Sequence, residues 1–150
     1  MTSSSKITNP YNESLALISK INIEPNMCEC ARVGSRALAN GYMPIARYLT
    51  NFSGYFDRKN LQLEHQQIIF EASGDNIGLM GKDGKPQLFE EDLSKQSYHF
   101  EPDQCLDGAI MREAIARSGV PSIYEWLGYN CQAYVEQIKA KYLSIVTREK

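Results

Sequence analysis

The stretch from Leu61 to Phe70 constrains the fold more than any other part of the chain. Leu61, Leu63, His65, Gln67 and Ile69 alternate with Gln62, Glu64, Gln66, Ile68 and Phe70, an approximately period-two pattern that is apolar on both faces near its end. Such alternation predicts a strand. Ser73-Gly74-Asp75-Asn76 is a strong turn signal, and Ile77-Gly78-Leu79-Met80 can pair back as the second arm of a hairpin. A second turn signal, Lys82-Asp83-Gly84-Lys85-Pro86, lets Gln87-Leu88-Phe89 form a further strand or an extended edge. The middle of the chain is expected to be a small antiparallel sheet.

Helical periodicity lies on either side. Leu15, Leu17, Ile18 and Ile21 predict a short helix over Asn12–Ile21 with Asn12 as its cap, stopped by Glu24-Pro25-Asn26. Met27 to Ser35 reads as a strand. Arg36 to Arg58 is punctuated by Gly41, Pro44 and Gly54, which predicts a long connection with a short helix around Ile45–Leu49. From Pro102 onward, Asp103 can cap a helix carrying Leu106, Ile110, Ala114 and Ile115, ended by Ser118-Gly119-Val120-Pro121. The last helix is expected from Asn130 to Val146, with Cys131, Tyr134, Val135, Ile138, Tyr142, Ile145 and Val146 on one stripe. The fold class is therefore α+β, a small antiparallel sheet packed against helices. At 150 residues it forms one domain, 1–150, with a polar and flexible stretch over 1–12.

Composition narrows the function. A formal charge of −2 with no run of five like charges argues against nucleic acid as a partner. No window approaches the roughly 18 apolar residues of a membrane span, and the amino terminus lacks the apolar core of a Sec signal. The expected localisation is cytoplasmic, or secretion by a specialised non-Sec system into a target cell. Four cysteines, Cys28, Cys30, Cys105 and Cys131, are expected to be free thiols. Cys28-Glu29-Cys30 lacks the two-to-four-residue spacing of structural zinc pairs, so neither a metal nor a cofactor is expected.

Chemistry concentrates on Cys131. A cysteine in the first turn of a helix feels the positive end of the macrodipole and the unpaired amides there, which favours its thiolate. The same amides can donate to an oxyanion formed when sulfur attacks a carbonyl. A thiol nucleophile needs a base, and only His65 and His99 are available. His65 is the better candidate, because its phase with Leu63 and Ile69 points it into the sheet face that a helix would cover. A third group usually holds the base in one tautomer. A hairpin mirrored about Gly74 places Asp83 opposite His65, and a slip of one residue replaces it with Lys82 or Gly84. Asn76 and Gln67 are the alternatives.

The string Tyr129-Asn130-Cys131-Gln132-Ala133-Tyr134-Val135 resembles the helix start of permuted NlpC-type papain-like proteins, which include the lecithin:retinol acyltransferase group and related bacterial proteins. The hairpin carrying His65 resembles the histidine hairpin of the bacterial relatives. The resemblance implies a circularly permuted papain-like order, with the histidine strand before the cysteine helix. It also implies a metal-free attack of the Cys131 thiolate on an ester or amide through an acyl-enzyme, with His65 as base. One departure stands out: the acyltransferase pattern has a second histidine on the partner strand, and none occurs between Asn76 and Gly84. The expected function is thus a thiol hydrolase or acyltransferase of the cysteine peptidase or amidase kind, acting on a peptide, protein or other amide or ester, as a bacterial effector or toxin would. The alternative is a non-catalytic protein-interaction module on the same fold.

Overall fold

The computed structural model describes residues 9–22, 28–37, 64–82, 84–125 and 129–148. Among them are three helices, α1 (Pro10–Ile21), α2 (Gly108–Ser118) and α3 (Cys131–Arg148). Six strands accompany them: β1 (Cys30–Ala37), β2 (Glu64–Phe70), β3 (Asn76–Lys82), β4 (Lys85–Phe89), β5 (His99–Phe100) and β6 (Leu106–Asp107). The strands form one antiparallel sheet in the order β4-β3-β2-β1-β5, with β6 also on β1. The α+β class and the central antiparallel hairpins agree with the sequence. The helix expected around Ile45–Leu49 lies outside the described residues, as do Asp83 and residues 1–8 of the expected flexible start.

Helix boundaries follow from caps. α1 begins earlier than the periodicity suggests, because Asn9, not Asn12, is the cap: its Oδ1 accepts the Asn12 backbone N–H at 2.7 Å, and Pro10 occupies the first turn, where no amide is needed. Residues 10–12 of the stretch expected to be flexible therefore form the first turn of α1. α2 begins later than expected. Asp107, rather than Asp103, caps it through the Ile110 amide at 3.1 Å, and Asp103 instead takes a left-handed backbone at φ 61°. Leu106 is thereby released from the helix into β6.

The helices cover one face of the sheet. α1 packs on β4, α3 on β2 and β3, and α2 against α3. Ala31, Ile68, Phe70, Ile77, Leu79 and Leu88 from the sheet meet Leu17 and Ile21 of α1, Met111, Ala114 and Ile115 of α2, and Tyr134, Val135 and Ile138 of α3. Side chains alternate between faces along β2, so Ile68 and Phe70 enter this core while His65, Gln67 and Ile69 face the other way. This reverses the expected direction of His65. With apolar residues on both faces of the strand, the pattern alone left its phase open.

Two further devices hold the sheet. Cys30 and Cys105 form a disulfide with their Cα atoms 4.8 Å apart, which corrects the expectation of four free thiols; Cys28 and Cys131 are in no disulfide. The bond ties the start of β1 to the link between β5 and β6. Arg112 of α2 is only 2% exposed, pairs with the Glu29 carboxylate, reaches Asp75 at 3.0 Å and Ser73 Oγ at 3.1 Å, and stacks 4.1 Å over the Phe70 ring. Glu29 also accepts the Ala72 and Ser73 amides at 3.0 Å each. One guanidinium therefore joins the helix layer, the start of β1 and the hairpin turn.

Candidate active site

α3 starts behind Asn130, whose Oδ1 accepts the backbone N–H groups of Gln132 at 3.1 Å and Ala133 at 3.2 Å. That is the expected cap, and it places Cys131 at the first helical position. The cap also occupies two of the first-turn amides that the sequence assigns to an oxyanion. Cys131 is fully buried, and its Sγ lies 3.6 Å from the Glu64 carbonyl oxygen, which also accepts the Gln132 side-chain amide at 3.1 Å.

The sheet explains why a helix end can reach that carbonyl. β2 and β3 pair only through Ile68 with Ile77 and Ile69 with Asn76. Toward Glu64 the first turn of α3 takes over the edge of β2. Cys131 is thus seated against the peptide units on either side of His65, meeting the strand's backbone rather than entering the imidazole's face. Burial pushes its thiol up to about 11, while the amides of Gln66 and Gln132, the Arg36 charge and its own amide pull the other way. The expected stabilisation of the thiolate by the helix start is present and is outweighed by desolvation.

His65 is 4% exposed and sits on the opposite face, where its Nε2 lies 2.6 Å from Gln67 Oε1 and its ring 5.3 Å from the Phe89 ring. A chain of bonds fixes which way the Gln67 amide points. Its Nε2 donates to Phe89 O at 3.1 Å and to Asn76 Oδ1 at 2.8 Å, while that Oδ1 also accepts the Glu91 amide at 2.7 Å. Asn76 Nδ2 in turn donates to the carbonyls of Gly74 at 3.2 Å and Glu91 at 3.1 Å. Backbone groups thereby orient both amides and leave Gln67 Oε1 as an acceptor. The imidazole must donate from Nε2, and Nδ1 becomes its basic nitrogen. Burial, opposed by the Gln67 bond, lowers the His65 pKa, with Arg36 lowering it further and Glu91 raising it, so the ring is neutral near pH 7.

Of the expected third groups, Gln67 contacts His65 and Asn76 supports Gln67. Asp83 lies outside the described residues. The observed pairing is three residues tighter than a hairpin mirrored on Gly74, which would set Met80 across from Ile68 where Ile77 stands. Gly78 makes the arrangement possible: a Cβ there would lie 2.0 Å from Gln67 Oε1 and 3.1 Å from His65 Nε2. His99, the other candidate base, is exposed on β5 at the far side of β1.

The sequence did not single out a charged group beside this pair. Arg36 stands directly across from His65 in the β1–β2 register and donates from Nε to Glu91 Oε1 at 3.1 Å and from Nη2 to Oε2 at 2.5 Å. Tyr98 donates its hydroxyl to the same carboxylate, and the Arg36 guanidinium lies 6.0 Å from the Tyr98 ring centre. The ion pair is largely shielded, with side-chain exposures of 15% for Arg36 and 9% for Glu91. Arg36 is therefore not a solvent-facing residue.

Among the described residues no helix is long and apolar enough to cross a membrane, and no group of three His, Cys, Asp or Glu gathers as metal ligands. Comparisons with family models, curated proteins and solved structures find no match to this chain.

Proposed function

We propose that the protein is a thiol-dependent hydrolase or acyltransferase of the papain-like, circularly permuted kind, with Cys131 as nucleophile and His65 as base. The carrying observation is the seating of Cys131, at the first position of α3, on the backbone that brackets His65. Orientation of the imidazole by Gln67 adds the third element, because it leaves Nδ1 as the basic nitrogen that takes the thiol proton once Sγ comes within its reach. In the reaction, that proton moves to Nδ1, the sulfur attacks an amide or ester carbonyl, and the imidazolium protonates the leaving group. Water or a second acceptor then releases the acyl group. No metal enters this scheme. The Cys30–Cys105 bond favours an oxidising destination over a reducing cytoplasm, which fits export by a specialised system, as for an effector or toxin.

Occlusion of the Cys131 thiol favours a second reading, a protein-interaction module that keeps the fold without the reaction. The two separate on labelling with a peptidyl acyloxymethyl ketone followed by peptide mapping. An enzyme carries the adduct on Cys131 and loses it in His65→Ala. Adduct confined to the exposed Cys28, the same in both proteins, would establish the module.

A further inference from the structure

Cys131 and His65 stand apart. The thiol is fully buried and turned to the Glu64 carbonyl at 3.6 Å, on the edge of β2, whereas the imidazole projects from the sheet face opposite the helices. The same carbonyl accepts the Gln132 side-chain amide at 3.1 Å, so Glu64 seats the first turn of α3 through two successive side chains. The body of the helix is anchored farther on, where Tyr134, Val135 and Ile138 enter the core. Upstream the hold is weaker: among the described residues between the end of α2 and Asn130, none is buried. Pairing of β2 with β3 ends at Ile68 and Ile77, short of this turn. A turn tied down by a hydrogen-bonded seat, with an unburied approach on one side and a packed helix on the other, is suited to opening locally. Such opening exposes the side chains of Asn130, Cys131 and Gln132 and leaves the core packing from Tyr134 onward in place.

Resting on the Cys131–His65 reading, we propose that the Gln132–Glu64 contact is an autoinhibitory latch. It holds the first turn of α3 on the β2 edge with the thiol withheld from its base, and its release lets Sγ pass round that edge to His65 Nδ1. Opening breaks two bonds at the Glu64 carbonyl, one from the Gln132 amide and one from the Cys131 S–H. In the open turn the thiol proton passes to Nδ1, one S–H bond giving way to one N–H bond, and the resulting thiolate and imidazolium leave the net charge unchanged. Gln132 is a positioning residue: its side chain sets where the turn rests and takes no part in the proton transfer. The structure described above is the closed form.

Native-state alkylation reads the latch directly. Iodoacetamide labelling of Cys131 is followed by peptide mapping in a Cys28→Ser background, so that the exposed thiol does not contribute, at urea concentrations below the unfolding transition. The parent, His65→Ala, Gln132→Met and Gln132→Met/His65→Ala are compared. Methionine matches glutamine in length and helix preference and cannot donate to the carbonyl. Losing one hydrogen bond should raise the Cys131 labelling rate in Gln132→Met by about two- to tenfold, with a urea dependence in both proteins well below that of global unfolding. Gln132→Asn, one methylene short of the carbonyl, makes the same comparison where the methionine variant does not fold. Equal rates in the parent and a folded variant overturn the latch. A urea dependence as steep as that of global unfolding overturns it too, because the thiol would then emerge only when the whole chain opens. Near pH 7, His65→Ala should slow labelling of Gln132→Met by about tenfold, the consequence of moving the thiol ionisation by about one pH unit. A latch signal that ignores His65 sinks the Cys131–His65 reading, and the inhibitory role with it. Labelling that depends on His65 but not on Gln132 removes the latch and leaves that reading standing.

Discussion

Gly78→Ala should disconnect His65 from its orienting partner, and its new Cβ would also press on the imidazole at 3.1 Å from Nε2. Gly78 lies in β3 opposite Phe89, and an added Cβ would stand 2.0 Å from Gln67 Oε1 and 2.8 Å from Gln67 Cδ. Neither distance can be relieved by a few tenths of an ångström, so Gln67 must leave. In leaving, it gives up bonds to His65 at 2.6 Å, Asn76 at 2.8 Å and Phe89 O at 3.1 Å, inside a site where it is fully buried. With about 1–3 kcal/mol for each buried group left unsatisfied, and some bonds regained in a new rotamer, the cost is roughly 2–5 kcal/mol. For a chain of this length that lowers Tm by roughly 6–15 °C. Gly74→Ala is the control: its φ of +82° strains an alanine, yet nothing lies within 4 Å of the new carbon. That variant should cost only about 1–2 kcal/mol. Nitrogen-15 NMR of the imidazole reads the local effect, since the parent and Gly74→Ala should keep the proton on Nε2 and Gly78→Ala should not. If Gly78→Ala keeps that tautomer and melts no lower than Gly74→Ala, the steric reasoning is wrong.

Arg112→Met should cost about 3–5 kcal/mol in denaturant titrations, because the Glu29 carboxylate stays buried after losing its cation; a loss below about 1 kcal/mol would show that Glu29 finds water instead. Reduction of Cys30–Cys105 opens a loop spanning a sequence separation of 75, so dithiothreitol should lower stability by about 4 kcal/mol on loop-closure entropy, and a Cys30→Ser/Cys105→Ser protein should be insensitive to it. Stability should decline as pH falls below about 6.5, since the unfolded chain binds a proton at His65 that the folded site refuses. A second decline should follow below about pH 4.3, as Glu29 and Glu91, whose folded pKa values are depressed, take up protons first in the unfolded state. Urea titrations from pH 8 to pH 3 test both limbs, and equal stability at pH 7 and pH 5 would rule out the first. Tyr134→Phe should be neutral or stabilising by about 1 kcal/mol in the same titration, because the buried Tyr134 hydroxyl has no hydrogen-bond partner among the described residues.

The residues that carried most about the fold in the sequence were those whose chemistry acts locally. Alternation in β2 and the turn residues after it are local, and both strands of that hairpin form where expected. Asn130 before Cys131 is likewise a local cap signal, and the helix starts there. Register was less legible. The loop closes through Phe70 N–H to Asp75 O at 2.8 Å and Gly74 N–H to Phe70 O at 2.9 Å, so Gly74 sits toward one end of it rather than at its centre. Gln67 left a readable trace, a polar residue two positions from His65 on a strand otherwise apolar toward its end, and it was among the alternatives for the third group. The Cys30–Cys105 pairing and the Arg112 hub had no such trace, because each joins residues far apart in sequence. Arginine is ordinarily a surface residue, and nothing near Arg112 in the chain announces the carboxylates that bury it.

The short β2–β3 pairing makes the first turn of α3 part of the sheet. Strand β2 completes its hydrogen bonding near Glu64 with Gln132, and the thiol of Cys131 is delivered by the same contact. Sheet completion and placement of the Cys131 thiol are consequently one event. A molecule in which α3 has not docked also has an open strand edge, exposed to pairing with other chains. Selection against aggregation would then preserve the position of Cys131 whether or not its sulfur reacts.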